Sequence, residues 1–222
     1  MDNAYFDLLM WARGPGFTIA LVIMVGGILL RLVEILVLGR KKDFAQPKGN
    51  PVAQGIKTIF TRSVARKGMM KEAPVTYVAG YVFHLGFAVA FLFLGAHIAL
   101  IKSLLGFGWF DFNKALIETA AALAVIAAVA LAYTRFTDPV RRALTRFDDW
   151  VVLVLSVLPL ITGYIAVNRV FGVDATLWMA IHILTAELLM IAVPFTKLMH
   201  AVTFAVSRYY NGSIQGRPGA ES

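Results

Sequence analysis

The stretch Ala180 to His200, A-I-H-I-L-T-A-E-L-L-M-I-A-V-P-F-T-K-L-M-H, decides the reading of this chain. It is apolar apart from His182, Thr185, Glu187, Thr196, Lys197 and His200. With its flanks it exceeds the about 20 residues needed to cross the hydrocarbon core of a bilayer. A histidine toward each end of a membrane span is costly to hold in lipid, so both rings are expected to face the bundle interior and a partner there. Their separation of 18 residues is five full turns, which on a straight helix returns both rings to one face about 27 Å apart.

Working outward, four more stretches approach spanning length. The expected spans lie at about 17–38, 76–104, 115–133, 150–167 and 177–206, with a basic loop over 40–74. The chain reads as all-α, a polytopic membrane protein forming one five-helix transmembrane domain over residues 1–222. Apolar runs of this length exclude a soluble domain, and no internal repeat or low-complexity tract is visible.

Lys and Arg crowd alternate loops. Lys57, Arg62, Arg66, Lys67 and Lys71 follow the first span, which ends at Arg40, Lys41 and Lys42. Arg135, Arg141, Arg142 and Arg146 follow the third, and Arg208 and Arg217 follow the fifth. The other side carries Arg13, Lys102, Lys114 and Arg169. The positive-inside rule then predicts an N-terminus outside and a cytoplasmic C-terminus, and it accounts for the net charge of +8 without nucleic acid. Asp2 and Asp7 replace a basic n-region and no small-residue cleavage site follows, so the first span is expected to be retained. Within the basic loop, Ile56, Ile59, Phe60 and Val64 recur at helical spacing among cations, the pattern of an interfacial amphipathic helix or of a docking platform for a cytoplasmic subunit.

The chain has no cysteine, which excludes a thiolate-ligated iron–sulfur cluster, a disulfide and a c-type haem. All four histidines fall in apolar spans: His84 and His97 in the second, His182 and His200 in the fifth. These spans run antiparallel, which sets His84 level with His200 near the cytoplasm and His97 level with His182 near the outside. Imidazole is a common iron ligand and helix bundles build cofactor sites from facing side chains, so each pair suits the metal of one b-type haem. The separation of 13 residues from His84 to His97 conflicts with a straight helix. It gives a rise of about 20 Å and rings about 140° apart, which calls for a bulge or unwinding near Gly95, or for strong tilt.

The segments F-H-L-G at Phe83 to Gly86, G-A-H at Gly95 to His97 and V-P-F-T-K-L-M-H at Val193 to His200 resemble the gamma subunit of respiratory nitrate reductase. The relatives of that subunit include cytochrome b subunits of sulfite-reduction-associated, heterodisulfide-reductase-like and hydrogenase complexes. The departure is in the second span, where this chain sets its histidines farther apart. The resemblance implies two b haems on His84, His97, His182 and His200. It also implies electron exchange between membrane quinone or quinol and a cytoplasmic iron–sulfur subunit, and a place in the cytoplasmic (inner) membrane. Lys114 resembles the lysine that such subunits set beside quinol near the outer haem; the alternative is a cation snorkelling to the interface.

Glu187, five residues past His182, suits a proton relay or a bond to a neighbouring helix. Arg31, Lys197 and Arg208 lie toward the cytoplasmic side, where haem propionates need cations, while Arg31 and Glu34 are also spaced to pair with each other. Pro194 is expected to kink the fifth span. A proton channel or transporter built on the histidines and Glu187, or a haem-free membrane anchor, are the competing readings.

Overall fold

The computed structural model describes residues 3–39, 44–65, 68–172 and 174–219. Among them every regular element is helical. Five helices are long and apolar enough to cross a membrane: Ala4–Val37, Pro74–Leu92, Lys114–Thr137, Phe147–Asn168 and Ala175–Phe195. The residues Arg40, Lys41, Lys42, Arg66 and Lys67 lie outside the described ones.

The first span begins earlier than the sequence suggests. Helix α1 (Asn3–Trp11) runs through a π-helical turn, Ala12–Gly16, into α2 (Phe17–Val37). Pro15 has no N–H to give a helix, but the wider turn absorbs the loss, and the Phe17 N–H bonds back to the Ala12 carbonyl. Helix α3 (Pro51–Thr61) starts with Pro51 in the first turn, where its missing donor costs nothing, and the Asn50 side chain accepts from the Ala53 N–H. A single turn, α4 (Met69–Glu72), follows.

The second span differs most. It is not one helix over 76–104 but α5 (Pro74–Leu92) and α6 (Gly95–Leu105), separated at Phe93 and Leu94. Next come α7 (Lys114–Thr137), a short α8 (Pro139–Leu144) and α9 (Phe147–Asn168). The fifth span is also interrupted. Helix α10 (Ala175–Ala192) gives way to two 3-10 turns, Val193–Phe195 and Lys197–Met199, before α11 (His200–Gly216). Pro194 supplies no N–H and clashes with the preceding turn, so the chain leaves the α-helix there. The five-turn argument for His182 and His200 assumed one continuous helix and does not hold across this interruption.

The chain divides into two compact units, Met1–Val22 with Ala73–Ile191, and Ile23–Glu72 with Ala192–Ser222. In the first unit the interior is built from small side chains: Ala90, Ala121, Ala124 and Leu160 form its core, with Phe83, Phe87 and Val125 against it. A methyl group added at Gly86 would stand 2.5 Å from the Ala120 carbonyl, so glycine lets α5 and α7 approach closely. Large apolar side chains point outward instead, among them Val22, Leu85 and Ile126. Small inside and large outside is the arrangement of helices packed in lipid, where the apolar exterior needs no burial.

In the second unit, α3 packs on α11 through glycine. A methyl at Gly55 would meet the Tyr209 ring at 2.7 Å, and one at Gly212 would meet the Gln54 carbonyl at 2.6 Å. Gly27 makes room for the Pro194 ring, whose Cγ would lie 2.6 Å from an added methyl.

Candidate functional site

Breaking a helix inside a membrane exposes backbone carbonyls that lipid cannot satisfy, so each needs a partner from the protein. The interruption between α5 and α6 meets this demand group by group. The Val89 carbonyl accepts the Phe93 N–H at 3.0 Å, and the Phe93 carbonyl accepts the Phe112 N–H at 3.0 Å. Trp109 Nε1 donates to the Leu92 carbonyl at 2.8 Å. The Phe91 carbonyl takes His97 Nδ1 at 3.0 Å, six residues away in sequence. Stacking of Phe93 on Phe112, with centroids 4.4 Å apart, holds the 106–113 loop over the break.

Restarting the helix at Gly95 re-aims His97 toward α10, where its ring centroid stands 6.1 Å from that of His182 with the planes 19° apart. Two imidazoles this close, on facing helices, are the residues that would hold a metal-centred cofactor between α6 and α10. His182 is backed by Gly163 of α9, where an added methyl would lie 3.0 Å from Cε1 and 3.1 Å from Nδ1 of the ring. Buried Thr162 places Oγ1 3.4 Å from His182 Nδ1, 3.0 Å from Thr185 Oγ1 and 2.7 Å from the Leu158 carbonyl.

The other two histidines show the same local habit. His84 Nδ1 bonds the Gly80 carbonyl one turn back at 2.7 Å, and His200 Nδ1 bonds the Lys197 carbonyl at 2.7 Å. A ring donating from Nδ1 carries its lone pair on Nε2, the state a metal ligand needs, and such a second partner is the usual companion of a ligating histidine. His84 belongs to the first unit and His200 to the second. Among the described residues no three His, Cys, Asp or Glu side chains converge as a closed metal site requires. Axial ligation of a haem takes two.

The remaining sequence candidates are placed as follows. Lys114 is the first residue of α7, half exposed, with Nζ 3.4 Å from Glu118 Oε1. Glu187 is 6% exposed, and its Oε1 has no hydrogen-bond partner among the described residues. Its carboxylate oxygens would lie 3.0 and 3.1 Å from a methyl at Gly16, so glycine in the π-helical turn is what admits the group.

Arg31 spends Nε on the Pro194 carbonyl at 3.1 Å and Nη1 on Glu34 at 2.8 Å. Arg208 donates to the Ile59 carbonyl at the C-terminal end of α3 and to Ser63, and lies over the Phe204 ring. Lys197 sits in the 3-10 turn that presents its carbonyl to His200.

Sequence reasoning missed Gly163, Thr162, Trp109 and Gly16. A glycine next to threonine in the middle of an apolar span was the available signal for the first two. It also missed a cavity of about 430 Å³ beside α6, lined by Gly95, Ile98, Ala99, Lys102, Trp109 and Asp111 among others, because its far wall comes from the 106–113 loop.

No protein-family model matches the chain. A curated protein of Nitratidesulfovibrio vulgaris (strain Hildenborough) is 36% identical over 138 residues, which is 62% of this chain. The matched stretch spans 60% of that relative's length.

Proposed function

We propose that the chain is the dihaem cytochrome b membrane subunit of a respiratory complex in the cytoplasmic membrane. In this reading it carries electrons between the quinone pool and an iron–sulfur subunit on the cytoplasmic side, and the substrate chemistry belongs to its partners. The observation that carries the reading is the His97–His182 pair, near-parallel rings with centroids 6.1 Å apart in an apolar bundle, two imidazoles that would hold one haem. The Nδ1 bonds of His84, His97 and His200 to backbone carbonyls support it, as each orients its ring and leaves Nε2 as the ligating nitrogen.

In this reading His97 and His182 hold the outer haem and His84 and His200 the inner one. The bound groups supply one-electron carriage across the bilayer. The N-terminus is outside and the C-terminus cytoplasmic, as the loop charges favour. When quinol is the donor, its two electrons would pass singly to the bound groups and its two protons would leave to the outside, one by way of Glu187; Lys114 Nζ, turned from Glu118, hydrogen-bonds a quinone oxygen near the outer pair. Glu187, about 7–8 Å along α10 from His182, accepts a proton. Arg31, Lys197 and Arg208, toward the cytoplasmic side in this reading, are the cations that would meet haem propionates there.

The buried Glu187, whose Oε1 has no hydrogen-bond partner among the described residues, also favours a second reading, a proton channel or transporter. One experiment separates the two. Purified protein should show sharp reduced α and Soret bands, and a pyridine haemochrome assay should find two b haems per chain, removable by acid–acetone. A colourless protein refutes the cytochrome reading, and one haem per chain refutes the second site.

A further inference from the structure

Helix α3 is amphipathic, yet it does not turn its apolar face to the protein. At 100° per residue, Gln54, Thr58, Pro51, Gly55 and Ile59 fall on one arc, and Gly55 and Thr58 are fully buried on that side against α11. Thr58 Oγ1 is turned inward to its own helix, on the Gln54 carbonyl at 2.7 Å. The opposite arc carries Val52, Ile56 and Phe60, which project within about 80° of one another and are 56%, 51% and 70% exposed. Val64, just past the helix, extends the same row and is 70% exposed. Lys57 projects at the margin of this stripe, and Arg62 caps its end.

Three features select the occupant of that face. The stripe is a contiguous apolar row of a kind that a protein surface in water does not leave open. Its flanks are cationic only: described residues 44–65 hold Lys48, Lys57 and Arg62, and α11 holds Arg208, with no Asp or Glu in either. The seam on the other side is made of glycine, Gly55, Gly212 and Gly216, so α3 is held at its back and its apolar edge stays outward. An apolar stripe bordered by cations alone matches an anionic bilayer surface, acyl chains below and headgroups at the rim.

We propose that α3 lies in the plane of the membrane, inserting Val52, Ile56 and Phe60 among lipid chains and setting Lys57 and Arg62 against anionic headgroups, with α11 as its back support. The occupant is lipid, rather than a protein subunit.

The absence of cysteine makes the test direct. Single cysteines at positions 52, 54, 56, 57, 58, 60 and 61 of the full chain, nitroxide-labelled and reconstituted in phosphatidylcholine–phosphatidylglycerol liposomes, are probed with oxygen and with a water-soluble nickel chelate. The expected pattern is oxygen collision severalfold above chelate collision at 52, 56 and 60, the reverse at 57 and 61, and exclusion of both at 54 and 58. In the Phe60→Cys background, Lys57→Gln with Arg62→Gln should weaken insertion in the anionic liposomes by about fivefold per charge removed. In phosphatidylcholine alone the same pair of substitutions should change little. Chelate access at 52, 56 and 60 would overturn the proposal by placing the stripe in water. Exclusion of both probes there would overturn it by showing a protein cover, a second copy or another subunit.

Discussion

Replacing Gly163 by alanine tests the proposed His97–His182 haem site through a residue that is not itself a proposed ligand. The added methyl would stand 3.0 Å from His182 Cε1, 3.1 Å from Nδ1 and 3.6 Å from Nε2, whereas ordinary contact begins at 3.4 Å. The ring must retreat by about 0.4 Å or more, twice the roughly 0.2 Å that metal–ligand distances tolerate. Disturbing the support of a ligating histidine typically costs 10–100-fold in metal affinity, about 1.4–2.7 kcal/mol.

The helix itself gains from the exchange, since alanine is favoured over glycine by about 0.8–1.0 kcal/mol, so the bundle is expected to stay folded. Haem titration into the extracted protein, followed in the Soret band, should show one of two sites weakened by one to two orders of magnitude. Gly80→Ala is the control, because nothing lies within 4 Å of its added methyl although its carbonyl serves His84. Two sites of unchanged affinity and spectrum in Gly163→Ala would refute the claim that His182 ligates from its observed position. Equal loss of both would show that the bundle, and not one ring, had yielded.

Three further perturbations bear on other parts of the argument. Trp109→Phe keeps an aromatic ring, though a smaller one, and removes the donor to the Leu92 carbonyl, so it should cost about 1–3 kcal/mol in detergent unfolding and weaken the His97 site; an unchanged unfolding midpoint would refute the role of Trp109 in closing the break. Lys114→Ala should raise the apparent KM for quinol or block reduction by quinol while dithionite still reduces the protein, and unaltered quinol kinetics would leave the lysine as an interfacial cation paired with Glu118. Asp138 caps α8 through the N–H groups of Arg141 and Val140 and the Arg141 side chain, and these bonds, the Arg141 N–H foremost, hold its carboxyl below the usual carboxylate range. A lowered folded value means that the capped turn is fully stabilised above about pH 4 and loosens as pH falls through that value. Amide protection over 140–144 should decline there in the native chain and stay flat with pH in Asp138→Asn.

The five spans were legible because length and composition alone decide whether a segment can cross a bilayer. The interruption near Gly95 was legible for a different reason: a separation of 13 residues cannot bring two rings to one side of a straight helix. What closes that interruption was not legible, since Trp109 and Phe112 arrive from a loop and no local pattern ties them to Leu92 and Phe93. The fifth span misled in the opposite direction. Its 18 residues suited a straight helix so well that continuity was assumed, although Pro194 had already marked the place where it fails. Pro15 has the opposite outcome from Pro194, because a π-helical turn takes up the proline and the helix runs on. Gly16 and Gly163 could not be assigned from sequence either, as each matters for what stands opposite it, Glu187 in one case and His182 in the other.

The two interruptions have a common logic. Each occurs in a histidine-bearing membrane helix, and each is followed at once by a histidine: His97 is the third residue of α6, and His200 the first of α11. In both, the Nδ1 atom goes to a carbonyl beside the break, Phe91 in one and Lys197 in the other. In an uninterrupted helix a histidine reaches the carbonyl one turn back, as His84 reaches Gly80, and a carbonyl six residues back, like that of Phe91, is beyond its reach. The break therefore does two things with one rearrangement. It swings the ring off the direction that the preceding helix dictates, and it provides the acceptor that fixes the ring's new direction and its tautomer. The cost of an open backbone carbonyl in lipid is offset by the same hydrogen bond that orients the imidazole. His182 lies in an unbroken stretch of α10, and its backbone partner comes from the facing helix α9, at Pro159, with the Thr162 hydroxyl 3.4 Å from Nδ1 and Gly163 against the ring.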